Sequence, residues 1–481
     1  MSRSPLLLAG AAALLLLGAG PAFSQEGAPD PVVELCVSAS GAAEARLDAC
    51  NKLLERKLGA EERSAVLTIR GLVFLEMEAG DRALSDLMAA IRQDSTNSSA
   101  YYARAIYFAR IDDLKLAMAD IETAIRMEPE DSAYLALRGD LRHRANDHNG
   151  ALADYDRAIA LDSDDDHLVI DRAMIRVDAG DYAGALADYD KAIALSDKAS
   201  TQVLRADVLQ ALERYDEAQK GYEKVIAREP DFPMSYTGRA RLHQLRGDRQ
   251  AAIADLDKAL ALMPGDPQDY IERGWLLYET SEFTRARADF DHAMALSNDD
   301  AEMLLQRAVF LTRIEQLDLA EADILRAAAK VPTSPAPGIA LSNLASVRGD
   351  WRRAIAEADR SLKLAPKDPD ALNQACWVRG EAKRELDRAI DICSRAIAQE
   401  PDNWIPLDSR SFVYFQQRNF EKALADADAA LARQPASAQT LFLRGAVKLR
   451  LGRQAEGEAD LAAARKLHPR IDAEYGRYQL L

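Results

Sequence analysis

The residues best equipped for chemistry in this sequence are four cysteines, six histidines and one dense run of carboxylates. Cys36 and Cys50 form one local pair, and Cys376 and Cys393 another. Paired thiols close disulfides in an oxidising compartment or offer soft ligands to zinc. Zinc is disfavoured, because no histidine accompanies either pair. His143, His148, His167, His243, His292 and His468 show no repeating or converging ligand spacing. Asp162-Ser163-Asp164-Asp165-Asp166 carries enough charge for calcium but lacks the glycine and closing glutamate of a calcium loop, which favours a solvated turn. Asn97-Ser98-Ser99 is a glycosylation sequon, meaningful only in a cell that modifies such sites. The His-Glu-x-x-His zinc helix, the phosphate loop, the Gly-x-Ser-x-Gly elbow and the dinucleotide glycine fingerprint are all missing. No catalytic residue, metal site or cofactor is therefore expected.

Bulk properties narrow the partners. The chain has 481 residues, 61 Lys and Arg against 78 Asp and Glu, and a net charge of −17. Such a surface repels phosphate backbones and anionic membranes, so nucleic acid is not an expected partner. The hydrophobic fraction is 48% but only 6% is aromatic, so the core must come from small, closely approaching helices.

Residues 1–24 read as an export signal. Arg3 is followed by an uncharged run from Leu6 to Leu17, and Ala22-Phe23-Ser24 suits a signal peptidase, with cleavage before Gln25. The alternative is a retained anchor, because the apolar stretch from Pro5 to Ala22 approaches the ~20 residues a span requires. Cys36, preceded by Val33-Glu34-Leu35, comes too late for a lipobox. No later segment could span a membrane, so the mature chain is expected to be soluble.

The elements that position these residues follow a period. Ala90-Ile91, Ala124-Ile125, Ala158-Ile159, Ala192-Ile193, Val225-Ile226, Ala259-Leu260 and Ala293-Met294 recur every 34 residues, with one step of 33. The series continues through Ala327-Ala328, Ser361-Leu362, Ala396-Ile397, Ala430-Leu431 and Ala464-Arg465, with one step of 35. Such self-similarity marks a repeat architecture. Each repeat reads as a helix, a turn and a second helix. The first helix holds a small residue, as at Gly71, Ala105, Gly139 and Gly274, and a second small residue opens the next, as at Ala83, Ala117 and Ala151. Gly80-Asp81, Gly180-Asp181, Gly247-Asp248 and Gly349-Asp350 mark turns where glycine can end a helix in the left-handed region. Pro129, Pro230, Pro264, Pro332, Pro366, Pro401, Pro435 and Pro469 close the second helices.

The period, the two small positions, the aromatic four residues after the second (Tyr155, Tyr189, Tyr222, Phe290) and the closing proline resemble the tetratricopeptide repeat over residues 64 to 471. The resemblance implies an all-α, right-handed solenoid of about twelve antiparallel helix pairs. Its first helices would line a concave groove that binds proteins or peptides. In that geometry Trp275 and Tyr278, Phe412 and Phe415, and Phe442 face the groove as candidate anchors; the alternative makes them ordinary core. The Lys/Asn clamp for a terminal carboxylate is missing, since Ser99, Tyr102, Ala133 and Ala136 stand at its positions. The Ala/Arg/Asp-rich repeats resemble those of exported proteins of Gram-negative bacteria, which points to a periplasmic or secreted protein.

An arginine precedes the small residue of the first helix, with an aspartate sixteen residues later. The pairs are Arg70/Asp86, Arg104/Asp120, Arg138/Asp154, Arg172/Asp188, Arg239/Asp255, Arg273/Asp289, Arg307/Asp323, Arg410/Asp426 and Arg444/Asp460. Structural ion pairs between the two helices are expected, in preference to a ligand-binding ladder. In the tenth repeat Cys376 takes the arginine's place, and Cys393 follows Ile392 in the aspartate's place, so a covalent tie is expected at the same seam. Separation along a rigid array leaves Cys36–Cys50 and Cys376–Cys393 as the disulfides.

The expected order is a signal (1–24), an N-terminal helical hairpin (25–63), repeats one to eight (64–334), repeats nine to twelve (335–471) and a cap (472–481). The seam at 334/335 rests on the proline-rich residues 331–338, which read as a hinge or as a bent, packed junction. The expected function is a protein-binding scaffold of the cell envelope. The alternative is an accessory subunit of an envelope enzyme or of a polysaccharide or secretion export complex.

Overall fold

A computed structural model describes residues 30–38, 41–478 and 480–481, so the expected export signal lies outside the described residues. All regular structure among these residues is helical. The chain divides into two compact units, Met1–Arg246 and Gly247–Leu481.

In the first unit α1 (Pro31–Val37) and α2 (Ala43–Leu54) make the N-terminal hairpin. Five helix pairs follow: α3 (Ala60–Glu76) with α4 (Gly80–Gln93), α5 (Ser98–Arg110) with α6 (Leu114–Met127), and α7 (Ser132–Arg144) with α8 (His148–Leu161). The others are α9 (Asp166–Asp178) with α10 (Tyr182–Leu195) and α11 (Ala199–Ala211) with α12 (Tyr215–Arg228). The first helix of the sixth repeat, α13 (Pro233–Leu245), ends this unit, and the second, α14 (Arg249–Leu262), opens the next.

The second unit continues with α15 (Pro267–Glu279) and α16 (Phe283–Leu296), α17 (Ala301–Arg313) and α18 (Leu317–Lys330), and α19 (Ala336–Val347) and α20 (Trp351–Leu364). It ends with α21 (Pro369–Ala382) and α22 (Leu386–Gln399), α23 (Ile405–Gln416) and α24 (Phe420–Arg433), α25 (Ala438–Arg450) and α26 (Gln454–Leu467), then the short α27 (Ile471–Tyr475) and a 3-10 turn at Gly476–Tyr478. Among the described residues no helix is long and apolar enough to cross a membrane.

The repeat's small residues are explained by what faces them. A Cβ on Gly139 would stand 2.8 Å from the Tyr155 ring, and one on Gly71 2.8 Å from Leu87. Gly274 and Gly445 face Phe290 and Leu461 in the same way. The large residue just after the helix-pair aspartate thus fills the notch left by the small one, and burying it contributes roughly 2 kcal/mol. The turns obey equally local chemistry. Gly180, Gly247 and Gly349 take φ of +78°, +79° and +75°, and the aspartate after each caps the next helix, accepting from the backbone of Gly184, Ala251 and Arg353. The turn at Gly80-Asp81 differs from expectation. Glu78 takes the left-handed conformation (φ 59°), and Gly80 opens α4, where a Cβ would press on Tyr107 at 3.2 Å. All eight closing prolines stand two residues beyond a helix end, as Pro129 does after Met127.

Residues 331–338 lie inside the second unit, whereas the boundary between units falls at 246/247, in the turn of the sixth repeat. Ser361 donates its hydroxyl to the Pro335 carbonyl at 3.1 Å and Pro337 is buried, so the prolines rest against α20. The helix they open, α19, has 12 residues against the 13 of α17.

Candidate partner-binding surface

Eight of the expected arginine–aspartate pairs are formed within the units, each through two parallel hydrogen bonds. Arg138 donates Nε and Nη2 to Asp154 at 2.9 and 2.5 Å, and Arg273 reaches Asp289 at 2.8 and 2.6 Å. The others are Arg70–Asp86, Arg104–Asp120, Arg172–Asp188, Arg307–Asp323, Arg410–Asp426 and Arg444–Asp460. Arg239 and Asp255 belong to different units. Several arginines make a third contact, to the preceding repeat: Arg172 with Asp156, Arg273 with Asp257, Arg307 with Asp291 and Arg444 with Asp428. The sequence reading missed these partners, although their signal is plain. Each is the last residue of an Asp-x-Asp triplet, and in three of the four the first member (Asp154, Asp289 or Asp426) pairs within its own repeat. These arginines are engaged in binding repeat to repeat.

Both disulfides form, with Cα–Cα distances of 5.0 Å for Cys36–Cys50 and 5.4 Å for Cys376–Cys393. The second sits one place away from the expected seam. The extra residue of the 35-residue step lies in the turn after α21, where Lys383 and Glu385 are both left-handed (φ 53° and 50°). In the preceding repeat Leu341 stands 34 residues after Arg307, in the arginine's place; counting forward from it, that place is here Ala375, and Cys376 occupies the small-residue place. The disulfide replaces the small-against-large contact, because Cys393 stands where Tyr155 or Phe290 stands in other repeats. The charged tie of this repeat is Arg379, which is fully buried. It donates to both oxygens of Asp359 at 2.8 Å, to Glu385 at 2.9 Å and to the Ala375 carbonyl at 2.8 Å. The hydrogen bond from Arg379 holds the Glu385 carboxyl below its usual range. No spacing rule singled out Arg379.

The expected aromatic anchors are mostly packed away. Tyr278, Phe412, Phe415 and Phe442 keep 3%, 1%, 8% and 2% of their surface. Phe412 stacks on Trp377 at 4.5 Å and meets Tyr478 at 5.5 Å, Phe442 meets Tyr475 at 5.7 Å, and Phe415 meets Phe420 at 5.5 Å. Only Trp275 is partly exposed, edge-on to Phe290 at 5.2 Å with Arg313 over its ring at 5.1 Å. An anchor must offer surface to a partner, and in this conformation four of the five do not.

The exposed surface of the first helices is lined differently. Met174 on α9 and Met234 on α13 keep 45% and 50% of their surface. Half-buried carboxylates stand on neighbouring first helices: Asp140 on α7, Asp171 on α9 and Asp207 on α11. The Tyr155 hydroxyl donates to Asp140 and that of Tyr222 to Asp207, each at 2.5 Å. Burial pushes Asp140 up to about 6. Burial, with the charge of Asp140 and Asp165 nearby, pushes Asp171 up to about 7. Among the described residues no three His, Cys, Asp or Glu are arranged to hold a metal ion.

The geometry can be set beside known proteins. A tetratricopeptide repeat family model matches residues 102–166, 203–267, 271–335 and 413–470. Among solved structures the chain is similar to yeast Tom70, at 17% identity and a TM-score of 0.46, covering 87% of this chain and 95% of that one. It is similar to a tetratricopeptide repeat protein of Parabacteroides merdae, at 20% identity and a TM-score of 0.45, covering 52% and 99%. It is also similar to Pseudomonas aeruginosa pilF, at 20% identity and a TM-score of 0.39, covering 44% and 97%. No curated protein matches the chain. The family model spans more than half of the sequence, on the same period that places the notches, the ties and the closing prolines, and the chain belongs to the tetratricopeptide repeat family.

Proposed function

We propose that this protein is a non-enzymatic interaction scaffold of the cell envelope, and that the first helices of its N-terminal unit hold a segment of a partner protein bearing both apolar and basic residues. The observation that carries this reading is the exposure of Met174 and Met234 on first helices of the unit whose other first helices hold the half-buried carboxylates Asp140, Asp171 and Asp207. Methionine adapts its shape to varied apolar partners, and a carboxylate-lined surface on a chain of net charge −17 favours basic ones and speeds their approach. Two disulfides and the signal-like residues 1–24 support an oxidising compartment outside the cytoplasm. The test is partner recovery by Met174→Glu/Met234→Glu, with Lys191→Glu on the exposed face of α10 as control. Loss of partner from the double variant and retention by the control is expected. Full retention by both would refute the assignment of this surface.

A further inference from the structure

The second unit carries a segment seated on its own first helices. The Tyr478 ring lies 5.5 Å from both Trp377 on α21 and Phe412 on α23, and Tyr475 lies 5.7 Å from Phe442 on α25. Leu480 is buried, and its carbonyl accepts from Arg450 on α25 at 3.4 Å. Upstream, the Arg470 guanidinium sits 5.0 Å from the Tyr278 ring on α15 and 5.3 Å from Phe283. A cap needs to cover only the last helix pair, α25 and α26. This segment instead runs back over the first helices of three successive repeats, touching an aromatic residue on each.

We propose that the stripe Trp377, Phe412 and Phe442 is a docking surface for a short protein segment that turns helically, with two aromatic residues three apart followed by an aliphatic one, and that Tyr475, Tyr478 and Leu480 are its resident occupant. This rests on the protein-binding reading above but concerns a different surface. The occupant is suited to exchange. It is held by a five-residue helix, one 3-10 turn and ring contacts, and such short elements open at far lower free energy than the repeats beneath them. Its tether gives it an effective concentration on the order of millimolar, so a partner must compete, and removing the tethered rings should strengthen binding in trans by at least ~10-fold.

The test uses the full chain with Tyr475→Ala/Tyr478→Ala/Leu480→Ala and a fluorescent synthetic peptide of residues 470–481. The variant is expected to bind the peptide saturably and at least ~10-fold more tightly than the unsubstituted chain, and adding Trp377→Ala is expected to remove that binding. Equal weak binding by variant and unsubstituted chain, with unchanged helical circular dichroism, would overturn the proposal. If the variant loses helix, hydrogen exchange of the unsubstituted chain decides: excess unlabelled peptide should speed exchange at 471–480, and no change there would overturn it. Peptide exchange combined with full partner retention by Met174→Glu/Met234→Glu would refute only the earlier assignment.

Discussion

Arg172 gives Nε and Nη2 to the two oxygens of Asp188 at 2.9 and 2.5 Å, and Nη1 to Asp156 at 2.6 Å. One guanidinium therefore joins both helices of its own hairpin to the second helix of the hairpin before it. Its planar fork makes this possible, where a lysine could offer only a point charge. Stacked repeats gain stability from such nearest-neighbour contacts, and the arginine row serves that purpose.

The ties should differ in worth according to what remains when one partner is removed. Asp188 also accepts from Arg176 at 2.7 Å, whereas Arg104 is the cation that pairs with Asp120. Arg104→Ala strands a nearly buried carboxylate and is expected to cost about 2–3 kcal/mol, against about 1 kcal/mol for Arg172→Ala. Replacing both members, Arg104→Leu/Asp120→Leu, should recover most of the loss, because no charge is then left unpaired. Chemical denaturation midpoints of the three variants check this; equal destabilisation by the two single variants would contradict it.

The Cys376–Cys393 bridge closes a short loop across one hairpin. Cys376→Ser should lower stability by about 3 kcal/mol under oxidising conditions and by little in reductant, where the parent chain has already lost the bridge. Alkylation followed by mass measurement should show no free thiol before reduction and four after it. Label incorporated by the unreduced protein would refute the pairing.

Acid should favour the fold around α7 and α9. Burial raises Asp140 to about 6 and Asp171 to about 7, above the ordinary carboxylate value of 3.8. Between those limits the native chain binds protons at these two groups that the unfolded chain releases, so the stability they contribute is fullest below about pH 4 and falls as pH rises through 6 to 7. Asp171→Asn removes the charge that burial opposes. It should stabilise the protein at pH 8, on the order of 2 kcal/mol, and flatten the decline in melting temperature between pH 4 and 8. A steeper decline in the variant would contradict the assignment.

How far the structure could be read from sequence depended on the range of each interaction. The helices, their proline stops and the Arg104–Asp120 type of pair were legible because each is set within one repeat, sixteen residues or fewer apart. The third contact, such as Arg172–Asp156, was written in the Asp-x-Asp triplet but needed the stacking of one repeat on the next to be seen. The exact seam of Cys376 was hidden by where one inserted residue lies, which only the left-handed Lys383 and Glu385 reveal. The burial of Phe412 and Phe442 was one of two readings that the sequence left open. Tyr475 and Tyr478 contribute to it, brought back along a path that no local spacing encodes.

The central claim is that the first-helix surface of the N-terminal unit holds a partner protein. A photoreactive amino acid placed at Met174, compared in living cells with one at Lys191 on α10, tests it most directly. Defined crosslinked protein species are expected from position 174 and not from 191. Crosslinks from 191 alone, or none from 174, would contradict the account.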